Sequence, residues 1–172
     1  GKGGDLPKWI AAKLSFVFGI DLSRDNIVNR LDGICARYLN YKKKFRRTPD
    51  VIPAGLFIQG NAGKNIKNLS AQYTEKGKQI TSAIFGEGTN DESVLGKGVA
   101  KSYGKVANGF NISSIQFAIH YMFENADTLQ SFLTNLAECT QVGGYLIGTC
   151  FDGKKIFDNL KDKKQNESLV IM

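Results

Sequence analysis

Histidine occurs once in the 172 residues, tryptophan once and proline three times, and the three cysteines, Cys35, Cys139 and Cys150, stand far apart with no Cys-x-x-Cys pair. A zinc site or a disulfide framework needs more ligands at closer spacing, so no metal is expected and the thiols read as buried. No apolar run approaches the roughly 20 residues of a membrane span, and no signal peptide is visible, which points to a reducing space such as the cytosol and to no membrane partner. Also missing are a Ser/His/Asp set and paired carboxylates at a diagnostic spacing. Gly1, Gly3 and Gly4 do not form Gly-x-Gly-x-x-Gly, and no Gly-Lys-Ser or Gly-Lys-Thr follows them, which sets P-loop nucleotide hydrolysis aside.

What is present describes one soluble globular domain: 42% of residues are hydrophobic and 23% charged. The formal net charge of +7 favours polyanionic partners, because Lys and Arg gain affinity by releasing counterions from phosphates. The densest basic run is Lys42, Lys43, Lys44, Arg46 and Arg47 around Phe45, after a helix and before Pro49. A solvated loop and an RNA contact both explain it.

Strand and helix patterns alternate along the chain. Ser15 to Ile20 is a nearly continuous apolar run ending at Asp21, the pattern of a strand covered on both faces. Ser23 can cap a helix with Ile27, Leu31, Ile34, Cys35 and Tyr38 on one stripe. A second strand, Leu56 to Ile58, stops at Gly60 and Asn61. From Ala62 to Gly109 the chain turns polar and rich in glycine and lysine, with weak helical patterning at 71–85 and 91–103, and reads as an insertion. A third strand, Phe110 to Phe117, precedes His120 and Tyr121. A helix starting at Asp127 carries Leu129, Phe132, Leu133, Leu136 and Ala137, and Gly143 and Gly144 launch a strand from Tyr145 to Cys150. Lys154 to Lys161 reads as a helix and the tail from Asp162 as frayed. Such alternation predicts an α/β fold with a parallel sheet, helices on both faces, and ligands at the strand ends Asp21, Asn61, Gln116 and Cys150.

A glycine cluster turning into a helix, followed by a carboxylate at the end of the next strand, suits a nucleotide-like cofactor whose ribose hydroxyls need an acceptor. Gly1 to Asp5 and Asp21 carry that pattern. Asp5 either caps the helix it begins or meets a ligand. Asp21 alone reads as a strand end, and the lone His120, with Tyr121, as packing residues.

The strings GKGGDLPKW, GID ending at Asp21, SSIQFAIHYMFE and VGGYLIGTCFDG, in this order, resemble the messenger RNA cap guanine-N7 methyltransferase family, particularly the forms in capping enzymes of large DNA viruses. The resemblance implies a Rossmann-like class I methyltransferase sheet, S-adenosylmethionine as cofactor, and capped mRNA as partner, with other capping-enzyme domains or a stimulatory subunit beside it. It implies Gly1 and Gly3 beside the methionine part of the cofactor and Asp5 close to it. Asp21 would sit on the ribose hydroxyls, Asn61 at the adenine in place of the family's aspartate, and Gln116 near the sulfonium. His120 and Tyr121 would position guanine, with no general base, and Phe151 lies where several relatives have proline. The family also has a central strand before GKGGD, an upstream basic residue, and a C-terminal portion that supplies an acidic residue and an aromatic. The expectation is therefore a partial methyltransferase domain over residues 1–172, polar insertion included, with an incomplete sheet and little activity alone. Its setting would be cytoplasmic, at a viral replication site or in a virion, or nuclear for a cellular relative. Two other readings stand beside it: a different S-adenosylmethionine-dependent enzyme, and a noncatalytic binding module of a capping complex.

Overall fold

The structure, a computed structural model, describes residues 1–164 and 167. The first two strands, β1 (Phe16–Asp21) and β2 (Ala54–Gln59), are parallel, in unbroken register from Phe16 opposite Ala54 to Asp21 opposite Gln59. Parallel neighbours cannot be joined by a tight turn, and the crossover here is helical: α2 (Arg24–Val28), α3 (Ile34–Lys44) and a 3-10 turn at Pro49–Val51, with α1 (Leu6–Ala11) ahead of β1. Because side chains alternate along a strand, adjacent residues of β2 serve opposite faces. Phe57 packs with Leu6, Ile27 and Ile34 under α1 to α3, stacked on Trp9 at 6.3 Å and edge-on to Tyr38 at 5.6 Å. Leu56 faces the other way, toward α4 (Glu75–Phe85).

The second half repeats the unit. Strands β3 (Phe110–Gln116) and β4 (Thr140–Thr149) are parallel, and α7 (Ala126–Cys139) crosses between them; α8 (Gly153–Leu160) follows. Among the described residues the four strands make two two-stranded parallel sheets, β1 with β2 and β3 with β4. The mixed α/β architecture with parallel strands is as expected. Aromatic packing, not a hydrogen-bond ladder, joins the two sheets: Phe110 stacks on Phe16 and Phe18, both at 6.3 Å, and receives the edge of Phe85 at 6.2 Å.

Residues 62–109 supply much of this core. Thr74 caps α4 by accepting from the Gly77 amide at 3.0 Å, and Gly86 ends it at a left-handed φ of 82°. Ile84 and Phe85 join Val106 and Cys139 in the central cluster, while Ala83 packs with Leu95 and Val99 from the short helices α5 (Glu92–Leu95) and α6 (Lys97–Ala100). Burying one side chain such as Ile84 contributes roughly 1.5–3 kcal/mol. Asn135, 5% exposed on α7, ties the loop after β2 to this core. Its Nδ2 donates to the carbonyls of Ala62 and Lys64 at 2.9 and 2.8 Å, and its Oδ1 accepts from the Ile66 amide at 2.8 Å.

Four sequence expectations need correction. The helix from Ser23 to Tyr38 is broken: Asn29 Oδ1 accepts from the amides of Leu31 and Asp32, and α3 restarts at Gly33, leaving Leu31 88% exposed. A Cβ on Gly33 would lie 2.7 Å from the Asn29 backbone, so this corner accepts only glycine. On α7 the cap is Asn125, whose Oδ1 accepts from Thr128, and the buried positions are Phe132, Asn135 and Cys139 while Leu133 is half exposed. Strand β4 begins at Thr140 rather than Tyr145, because Gly143, at φ 81°, sits in a bulge between the pairs Phe110–Thr140 and Ile112–Tyr145. Strand β1 is half-buried throughout instead of covered on both faces. The tail expected to fray from Asp162 lies mostly outside the described residues.

Of the three thiols expected to be buried only Cys139 is, Cys35 being half-buried and Cys150 exposed; burial, with the Glu138 carboxylate adding and Lys67 opposing, pushes the Cys139 thiol up to about 11. Cys150 is therefore expected to alkylate readily at mildly alkaline pH and Cys139 only on unfolding, as peptide mapping after iodoacetamide treatment will show. Asn135→Ala leaves two carbonyls and an amide without their partners and is expected to destabilise the fold by about 2–4 kcal/mol in denaturant titration.

Candidate cofactor and substrate site

Asp21 ends β1 and turns the chain. Its Oδ1 accepts from the Ser23 amide at 2.8 Å and from Asn26 Nδ2 at 2.9 Å, and its Oδ2 meets the amino group of Gly1. Partial burial works to raise this carboxyl, but the hydrogen bonds outweigh it and leave the group below the usual carboxylate range, hence ionised at neutral pH. The glycine segment is clamped beside it by Lys2, whose ammonium lies 2.9 Å from Asp32 and 3.0 Å from Asp25. Gly3 has φ 75°, and a Cβ there would run into Ile34 of α3, so both backbone and packing demand glycine. Gly1 and Gly4 have open space around them. Asp5 stands at the start of α1 but makes no capping bond; its carboxylate takes Lys8 at 2.7 Å instead.

Because β2 runs parallel to β1 in register, its end arrives beside Asp21. Gln59 lies opposite Asp21 and donates to the Leu22 carbonyl at 3.1 Å. Two residues on, Asn61 is half-buried, and its Oδ1 accepts from the Gly63 amide at 2.8 Å. That bond occupies one of the two lone pairs of the amide oxygen and leaves one acceptor position and both N–H donors.

A second group of side chains gathers at the ends of β3 and β4. Gln116 accepts from the Thr149 hydroxyl at 2.8 Å and donates to Ser114 Oγ at 3.0 Å. Phe117 follows at φ 51°, a left-handed conformation that costs a bulky residue roughly 1–2 kcal/mol, held by its amide on the Thr149 carbonyl at 2.8 Å. The chain then enters a 3-10 turn, Ile119–Phe123, anchored by buried Met122. His120 and Tyr121 project from it with ring centroids 4.2 Å apart, and Phe151 lies 6.0 Å from His120 and 5.7 Å from Phe117. Phe117 and Phe151 are each 58% exposed and Tyr121 64%, so this is an open aromatic surface with a polar edge. Sequence reasoning passed over Phe117 because it looked like the last residue of a strand; its left-handed backbone has no signature in composition or spacing.

The two groups lie at the carboxyl ends of their strands, where α/β folds hold ligands. Gly1, Gly3, Asp21 and Asn61 belong to the first sheet, and Gln116, His120 and Tyr121 to the second. No hydrogen bond among the described residues joins Asp21 to His120. The link runs through the loop after β2: a Cβ on Gly63 would come within 2.9 Å of Thr128 in the first turn of α7, directly after the His120 turn. No group of three His, Cys, Asp or Glu side chains among the described residues could hold a metal ion, and no helix there is long and apolar enough to cross a membrane.

The comparisons with known proteins agree with one another. A family model described as the mRNA (guanine-N(7))-methyltransferase domain matches residues 1–170. The chain is 31% identical over 168 residues to a "Probable mRNA-capping enzyme" of Acanthamoeba polyphaga mimivirus, covering 98% of this chain and 13% of that protein. It is 29% identical over 156 residues to an mRNA cap guanine-N(7) methyltransferase of Saccharomyces cerevisiae, covering 91% and 27%, and 24% identical over 167 residues to that of Schizosaccharomyces pombe, covering 97% and 34%. It thus spans about a third or less of the length of these relatives. No solved structure matches it. With the family model covering residues 1–170, the chain belongs to the mRNA (guanine-N(7))-methyltransferase domain family.

Proposed function

We propose that this chain is part of an enzyme that transfers a methyl group from S-adenosylmethionine to N7 of the guanine cap of mRNA. The match of the family model over residues 1–170 carries this reading. The strands would belong to one Rossmann-like class I sheet, with a further strand between the open edges of β1 and β3, where Phe16, Phe18 and Phe110 now bridge. Residues 1–172 would then be a partial methyltransferase domain with residues 62–109 as its polar insertion.

The residues present fit the cofactor. The Asp21 carboxylate at the end of β1 is the kind of acceptor that two ribose hydroxyls need, and Gly3, held to glycine by its φ of 75° and by Ile34, would keep the neighbouring turn tight. Gly1 and Asp5 would border the methionine part, Asn61 would meet the adenine through its remaining acceptor and N–H groups, and Gln116 would face the sulfonium end. When bound, S-adenosylmethionine supplies a methyl group made electrophilic by its sulfonium. The guanine N7 has no proton to lose, so a base is not required, and the work left to the protein is to orient the purine and exclude water. His120 and Tyr121, displayed together on a turn with Phe151 6.0 Å from His120, would do that.

In the full-length protein, Asp21→Ala is expected to lower S-adenosylmethionine affinity about ten- to a hundredfold by calorimetry, from the loss of charge-assisted bonds worth roughly 1.5–3 kcal/mol. Unchanged affinity would remove Asp21 from the cofactor site. His120→Ala is expected to reduce kcat/KM on a GpppG cap analogue by at least about tenfold with cofactor affinity within about twofold. An equal loss of both would make His120 structural. Cofactor binding with no transfer to the cap analogue in the unaltered protein would favour the noncatalytic module, and transfer to other acceptors a different methyltransferase.

A further inference from the structure

The basic run of the sequence is more ordered than a solvated loop. Lys42, Lys43 and Lys44 form the last turn of α3, and Arg46 and Arg47 continue in hydrogen-bonded turns, with the Phe45 amide on the Tyr41 carbonyl and the Thr48 amide on the Phe45 carbonyl, both at 2.9 Å. Three rings stiffen the surface. Tyr41 and Phe45 stack at 6.2 Å, the Lys44 ammonium lies 5.8 Å over Phe45, and the Lys42 ammonium lies 5.5 Å over Tyr38, whose hydroxyl donates to the Pro53 carbonyl at 2.8 Å. All five cations are exposed.

No carboxylate among the described residues lies within ion-pair distance of any of the five, whereas Lys2, Lys8, Lys78 and Lys154 each sit on one. A helix C-terminus favours nearby cations. That accounts for lysines in the last turn but not for two arginines beyond it, and five like charges in six positions repel one another unless an anion of matching length lies across them. Adjacent arginine forks and flexible lysine ammonium groups suit repeated phosphates better than dispersed carboxylates.

The position narrows the occupant. Helix α3 starts beside Gly3, near the end of β1, and by Tyr38 has reached Pro53, just before β2 begins, so its last turn lies toward the opposite end of the strand pair from Asp21. Six strand residues place it about 20 Å from the strand ends. A cap dinucleotide held at those ends cannot span that distance, whereas the body of a transcript can.

We propose that the C-terminal turn of α3 is a docking surface for the phosphate backbone of single-stranded RNA, away from the proposed methyl-transfer site and indifferent to the cap. The test measures binding of an uncapped single-stranded RNA of about 20 nucleotides by fluorescence anisotropy across a salt series. It uses the full-length protein and its Lys43→Glu/Arg46→Glu/Arg47→Glu variant. The variant is expected to bind about tenfold or more weakly at low salt, with the slope of log affinity against log salt reduced by about 2, from three lost contacts at roughly 0.7 each. Lys43→Gln/Arg46→Gln/Arg47→Gln should give a smaller loss in the same direction, and methyl transfer to the GpppG dinucleotide should be unchanged in both. The control Lys97→Glu/Lys101→Glu/Lys161→Glu alters net charge equally and should cost clearly less. Unchanged affinity and slope in the cluster variants, as expected of a surface for an acidic protein, would overturn the proposal, and so would an equal loss in the control. Because the RNA is uncapped, this outcome is separate from whether the chain methylates caps.

Discussion

Phe110 holds the two halves of this molecule together. Each sheet is built by the same rule, two parallel strands and a helical crossover, and the rule fixes where the strands of one sheet end but not how one sheet sits against the other. That relation depends on Phe110 stacking with Phe16 and Phe18 while Phe85 closes from α4. The side that carries Asp21 and Asn61 and the side that carries Gln116, His120 and Tyr121 are thus positioned by apolar contacts some distance below them. Asn135 adds a polar tie near the top, holding the loop that starts at Asn61 against α7.

The parts of this arrangement that follow from local pattern were legible in the residues. Apolar runs at Phe16 to Ile20 and Phe110 to Ile115 mark strands, and turn residues mark their ends, so Asp21 and Gln116 could be placed at strand ends before any coordinates. Boundaries decided by a side chain bonding to backbone were not legible. The break at Leu31 depends on Asn29 folding its carboxamide back, and the stripe on α7 is rotated because a buried asparagine, with three backbone partners, takes a position that periodicity would assign to a leucine. Polar composition likewise hid how much 62–109 adds to the core, where its Ile84, Phe85, Leu95, Val99 and Val106 are buried. A few apolar residues at the right spacing suffice to bury a segment that is hydrophilic on average.

Charge is divided along the length of the strands. At the carboxyl end of β1, the carboxylates of Asp21, Asp25 and Asp32 collect donors from Lys2, Ser23 and Asn26, which rigidifies the glycine turn. At the far end of α3, five cations stand without acidic partners. A single helix therefore joins a turn organised around carboxylates to a cluster of five cations that form no ion pair among the described residues. A long polyanion bound as proposed would be held by the cations and kept away from the carboxylates at the other end of the helix.

The exposed aromatic rings at the other strand ends pose the remaining question of energetics. Phe117 accepts a left-handed backbone, and Phe117, Tyr121 and Phe151 leave most of their surface in water. Both features oppose folding, and neither is required to close the turn, since Met122 already anchors it. Strain and exposed apolar area that the fold does not need are understandable where a flat ligand will cover them. Phe151 lies 5.7 Å from Phe117 and 6.0 Å from His120, which in turn lies 4.2 Å from Tyr121, and Thr149 fixes the Gln116 carboxamide. A purine laid on that surface would bury the rings, and the strain already spent at Phe117 would not have to be supplied again when it binds.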